Sequence, residues 1–104
     1  MKFKNTLFVV EDIEKSKMFY KEVLGLRVIM DFGDNITLTG GISLQTRRSW
    51  KEFIGKENYE ISFGGNDAEL YFEEDDFDGF INKIKSFDYI KYVHTVYELS
   101  LIHI

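Results

Sequence analysis

The segment "AELYFEE", residues 68–74, places Glu69, Tyr71 and Glu73 at every second position. In an extended chain those three side chains share one face, and Ala68, Leu70 and Phe72 share the other. Carboxylates beside a phenol can take up a proton, hold a cationic group or serve a hard metal ion. Glu69 is the candidate catalytic group on that account. It can equally hydrogen-bond a ligand amine or pair with Lys or Arg. No second catalytic group accompanies it, so binding is the preferred reading over chemistry. Two further segments alternate without charge: Ser43 and Gln45 oppose Ile42 and Leu44, and Thr37 and Thr39 oppose Ile36 and Leu38. Polar side chains in rows on a sheet suit the orientation of a small ligand. The plain alternative is a face that meets water.

Other reactive groups are sparse. His94 has no His, Asp or Glu partner close by on its own strand face, and His103 sits in the last residues. There is no cysteine, which excludes a disulfide framework and a thiolate zinc site. Trp50, Phe53 and Tyr59 lie beside Arg47 and Arg48, in a connector that can serve as a lid or as a staple with solvated arginines. A net charge of −5 and the acidic run "EEDDFD" argue against nucleic acid and anionic membrane as partners. No apolar run reaches the roughly 20 residues that span a bilayer. "MKFKNTLF" lacks a signal-peptide core, so the cytoplasm is the expected compartment.

The elements that must position these groups follow from periodicity. "KFKNTLFVV" predicts a buried first strand. Asp12 can cap a helix with Ile13, Ser16, Tyr20, Val23 and Leu24 on one face, stopped at Gly25. "LRVIMDF", "ITLTG" and "ISLQT" predict three more strands, turning at "GDN" and at Gly40 and Gly41. Ser49 and Glu52 have capping-box spacing ahead of "WKEFI" and Gly55, which predicts a short helix. "AELYFEE" is a fifth strand. A second helix, capped by Asp75 or Asp76, carries Phe77, Phe80, Ile81, Ile84 and Phe87, and "IKYVHTVYE" is a sixth strand.

An internal repeat organises them. Shifting the chain by 64 residues sets Glu11 on Asp75, Ile13 on Phe77, Tyr20 on Ile84, Leu7 on Tyr71 and Asn5 on Glu69. The chain is therefore expected to be one α+β domain of two strand–helix–strand units. The first spans about 1–46, a connector 47–66, and a partial second unit 67–98. A full second copy would run to about residue 110. The final "LSLIHI", residues 99–104, is the translation of CTGTCTCTTATACACATC, a transposon end used in sequencing libraries. Residues 99–104 are accordingly expected to be a non-native tail on a C-terminally truncated chain.

Asp12, Ser16, Phe19, Tyr20, Leu24 and Gly25 form "S..FY...LG" behind an acidic cap. This resembles the entry signature of the vicinal oxygen chelate superfamily, which includes glyoxalases, bleomycin-resistance proteins and extradiol dioxygenases. The resemblance implies tandem βαβββ modules forming a half-open curved sheet, the second module incomplete here, with Phe19 and Tyr20 in the core. It further implies a cup for a small molecule, often with a divalent metal. The ligand positions implied are Asn5, Ser43 and Glu69, where metal enzymes of the superfamily carry His, Gln or Glu, and a last one lies beyond this chain. An amide and a hydroxyl are weak ligands, so no metal or other cofactor is expected, with Mg²⁺ or Mn²⁺ as the alternative.

The function expected is metal-free binding of a small molecule, such as sequestration of a drug or metabolite, through Asn5, Leu7, Ser43, Gln45, Trp50, Glu69, Tyr71 and Glu73. The alternatives are a metal-dependent glyoxalase-like lyase or isomerase, a dioxygenase, and a fragment without function. A homodimer is expected for the full-length protein.

Overall fold

A computed structural model describes residues 1–65 and 67–91. Two compact units divide the chain, Met1–Phe63 and a second beginning at Gly64. The sixth strand beyond Lys91, His94, His103 and the tail 99–104 lie outside the described residues.

In the first unit β1 (Thr6–Val10) leads to α1 (Ile13–Met18), whose axis continues as one wider π-helical turn, Phe19–Val23. Asp12 is the cap, its carboxylate accepting from the Lys15 amide at 3.1 Å. The helix ends as Gly25 turns left-handed with φ 72°, which a side chain rarely tolerates. β2 (Val28–Asp31), β3 (Asn35–Leu38) and β4 (Ile42–Thr46) then run as an antiparallel meander. Gly40 and Gly41 both have positive φ in the tight β3–β4 turn. The strand order is β1-β4-β3-β2, with β1 parallel to β4. This is the expected βαβββ arrangement of the first unit.

Register explains where its core sits. Ile36 faces Leu44 and Leu38 faces Ile42, so four aliphatic side chains form a block on one face. All four are buried, together with Phe19, Tyr20 and Val23 of the helical segment, and α1 packs on β4. Each such side chain contributes roughly 1.5–3 kcal/mol by leaving water. Phe19 and Tyr20 meet edge to face, ring centres 5.8 Å apart. Burial pushes the Tyr20 phenol up to about 12.

The first strand differs from expectation. It starts at Thr6, and Phe3 is exposed. Among the described residues β1 pairs with β4, whose register reaches back to Thr6 opposite Ile42, so the ladder does not extend to the residues before Thr6. The connector helix also starts early: α2 spans Arg47–Ile54, capped by Thr46 and not by Ser49. Thr46 ends β4 in an extended conformation, and its hydroxyl accepts from the Ser49 amide at 3.3 Å. The strand therefore passes into the helix with no intervening loop.

In the second unit α3 (Phe77–Lys85) is capped by Asp76, whose carboxylate accepts from the Gly79 amide at 3.0 Å. The caps Asp12 and Asp76 are 64 positions apart (76 − 12), the offset of the internal repeat. Ile81 and Ile84 are buried, as the predicted face requires, while Phe77 is exposed. The expected fifth strand is not seen among the described residues, where 68–74 carry no ladder. A strand exists only through its neighbours, and among the described residues no strand ladder is seen at 67–74.

Candidate functional site

The face of the first unit opposite its aliphatic block is polar and internally bonded. Leu7 stands beside Ser43 and Val9 beside Gln45 across the parallel pair. Thr37 faces Ser43 and Asn35 faces Gln45 across the antiparallel one. The Asn5 side-chain amide donates to the Ser43 hydroxyl at 2.9 Å. Asn35 donates to the Gln45 carbonyl oxygen at 3.3 Å, and the Gln45 amide donates to the Ser49 hydroxyl at 2.8 Å. Ser43 is 4% exposed and Gln45 8%. These buried polar groups are tolerated because each has a partner, and among the described residues no buried side-chain nitrogen or oxygen lacks one.

A charged rim lies beside this row. Thr46 donates its hydroxyl to Asp34 at 3.0 Å, and Arg48 reaches Asp34 at 3.3 Å and Glu52 at 3.4 Å. Arg48 is thus tied to two carboxylates, and the Arg47 guanidinium lies 5.6 Å from the Phe63 ring centre. Trp50 packs against Tyr59 with ring centres 6.1 Å apart, and Lys56 lies 5.7 Å from the Tyr59 ring centre. Residues after α2 therefore fold back onto it, so within this unit the aromatic connector is stapled to its own helix.

Of the eight side chains expected to contact a ligand, four share one sheet face: Asn5, Leu7, Ser43 and Gln45. Asn5 and Leu7 are exposed, and Trp50 is half-buried against Tyr59. Glu69, Tyr71 and Glu73 belong to the second unit, all exposed, in a segment without strand structure.

The divalent-metal corner implied by the resemblance can be tested on its donors. Asn5 and Ser43 are neutral; the Asn5 Nδ2 group donates to the Ser43 hydroxyl, which leaves the Asn5 carbonyl oxygen as a weak donor atom for a metal. Among the described residues no three His, Asp or Glu side chains cluster. Of the implied ligand positions, the first unit supplies only an amide and a hydroxyl, both weak donors for a divalent ion.

A family profile described as a glyoxalase-like domain matches residues 3–100. The chain belongs to the glyoxalase-like domain family. Its expected place in the vicinal oxygen chelate superfamily follows. This glyoxalase-like domain is also similar to a solved structure, a protein of unknown function from Agrobacterium tumefaciens strain C58. The two are 32% identical with a TM-score of 0.78, over 90% of this chain and 73% of that one. No curated protein matches it.

Two members of the polar row in this glyoxalase-like domain escape a reading of the sequence, Asn35 and Ser49. Asn35 reads as part of a turn, yet it continues the every-second-residue row of Thr37 and Thr39, and that spacing is the signal for it. Ser49 reads as a cap. Its partner Gln45 lies four residues earlier, and the two meet because β4 passes directly into α2.

Proposed function

We propose that this glyoxalase-like domain binds a small organic molecule at the Asn5–Leu7 end of its polar sheet face, without a metal. The observation that carries this is the Asn5–Ser43 hydrogen bond, which turns a would-be ligand corner into a neutral, oriented pair. Ser43 sits behind and Asn5 in front, so Ser43 holds the exposed amide in place. An amide so held offers one donor and one acceptor to a neutral polar group, and Leu7 beside it offers apolar contact. Gln45, fixed between Asn35 and Ser49, supports the same face from below. In the second unit, Tyr71 between Glu69 and Glu73 offers an aromatic surface and carboxylates to a cationic group. Sequestration of a drug or metabolite fits such groups, since none of them is a poised nucleophile.

The test pairs two measurements on the purified chain. Equilibrium dialysis against Mg²⁺, Mn²⁺, Zn²⁺ and Ni²⁺ with elemental analysis is expected to leave the protein without stoichiometric metal. A thermal-shift screen of neutral and cationic aromatic compounds is expected to give hits that Asn5→Ala abolishes. One equivalent of tightly held metal, together with turnover of methylglyoxal and a thiol, overturns the proposal in favour of a lyase.

A further inference from the structure

Register sets one row of paired side chains across the whole sheet of the first unit. Leu7 of β1 pairs with Ser43 of β4, Ser43 with Thr37 of β3, and Thr37 with Met30 of β2. Paired residues share a sheet face, and this one lies opposite the aliphatic block of Ile36, Leu38, Ile42 and Leu44. From β1 to β2 the row runs apolar, hydroxyl, hydroxyl, apolar. Its ends meet solvent, Leu7 38% and Met30 49% exposed, while Ser43 is buried and Thr37 half-buried at its middle. Three inter-strand steps of roughly 4.8 Å separate the ends, so the row is about 14 Å long.

The backbone of β2 is altered where the row ends. Val28 pairs with Leu38 and Met30 with Thr37, adjacent residues of β3, so Ile29 is an extra residue, a β-bulge. An unbroken ladder from Val28 would set Met30 against Ile36 and bring Asp31 round opposite Asn35, onto the polar face. The bulge reverses that. Met30 joins the row with Ile29 inserted beside it, and Asp31 pairs with Ile36 on the other face, where it meets Lys17 at 3.3 Å. A carboxylate is thereby exchanged for a thioether. The neighbouring row of Val9, Gln45 and Asn35 is neutral as well. A charged group laid on this face would lose water without gaining a counter-charge from it.

We infer that the ligand of this face is an uncharged, elongated molecule, hydrogen-bonding at its middle and apolar at both ends. It lies across the sheet from Leu7 to the Ile29–Met30 bulge, with the Thr37 hydroxyl as a donor and acceptor between them. This rests on the binding reading above, carries it from β1 to β2, and makes Thr37 and Met30 specificity residues.

Isothermal titration calorimetry of the full chain with three probes tests the inference. N-hexylhexanamide is neutral, with an amide at mid-chain and an apolar arm on each side. N-propylpropanamide keeps the amide on arms too short to span the row, and dihexylammonium keeps the long arms but carries a charge. N-hexylhexanamide is expected to bind best, each of the others more than about tenfold more weakly. Met30→Ser and Thr37→Val should each weaken the long amide at least about fivefold, with circular dichroism confirming the fold. If Met30→Ser unfolds the chain, Thr37→Val decides. Dihexylammonium binding as tightly as the long amide overturns the inference, as does a long amide that fails to bind. Ligands that Asn5→Ala abolishes but Met30→Ser and Thr37→Val leave untouched also overturn it, while the binding reading at Asn5 and Leu7 stands.

Discussion

Asn5 and Ser43, 38 positions apart in sequence, are joined by a 2.9 Å hydrogen bond from amide to hydroxyl, one partner exposed and the other buried. The two halves of that bond are therefore unequal. Asn5→Ala strands the Ser43 hydroxyl away from water and is expected to cost about 1–3 kcal/mol. Ser43→Ala leaves an amide that water can solvate, at about 0.5–1.5 kcal/mol. Urea unfolding of both variants checks the order, and equal costs would contradict the burial difference.

Gln45 serves two partners at once, accepting from Asn35 and donating to Ser49. Gln45→Ala removes both bonds and opens a small void, so its cost should exceed that of Ser49→Ala, by about 1–2 kcal/mol. A double-mutant cycle of Gln45→Ala with Ser49→Ala is expected to show coupling, since the pair shares one bond. Strict additivity in denaturant melts would count against the row acting as a unit.

Leu44 is fully buried between the helical segment and its cross-strand neighbour Ile36, whereas Phe3 lies outside the ladder and in water. Leu44→Ala is expected to destabilise by about 2–5 kcal/mol. Phe3→Ala should fall within about 0.5 kcal/mol of the parent. A thermal melt that ranked them the other way would place β1 deeper than described.

Tyr20 makes stability fall at alkaline pH. Its folded value of about 12 lies above the ordinary 10.0, so the folded state holds its proton more tightly. The associated stability is fully present below pH 10 and is lost as pH rises toward 12, on the order of 2–3 kcal/mol. Tyr20→Phe should flatten the alkaline limb of the melting-temperature profile. It should also remove the slowest component of tyrosinate absorbance.

Asp31 works at the acid end. The Gly33 amide, then Lys17, hold its carboxyl below the ordinary 3.8. Its contribution is present above that value and disappears as pH falls through the lower folded one. Both groups face solvent, so salt should shrink the effect. Asp31→Asn is expected to remove part of the acid limb at low salt and little at high salt, read by denaturant midpoints at each pH.

Local chemistry alone determined a good deal of this protein. Asp12 and Asp76 cap helices where a short acidic side chain precedes an apolar stripe, a matter of two or three neighbouring residues. The four strands of the first unit follow from alternation and from glycines at the turns, and the motif "S..FY...LG" led to the glyoxalase-like domain family. All of these depend on contacts within a few positions, which is why the linear order carries them.

Tertiary structure decided the rest. Thr46 outcompeted Ser49 as the cap of α2 because the end of β4, held by its ladder, presents Thr46 extended at the helix entrance. Residues 68–74 have strand composition, yet among the described residues they carry no ladder, since a ladder belongs to two segments and composition to one. Asn5 meeting Ser43 depended on the parallel register and Asn35 meeting Gln45 on the antiparallel one. Alternation announces which side chains share a face. Only the registers that the folded sheet settles on set which of them touch and which are sealed from water.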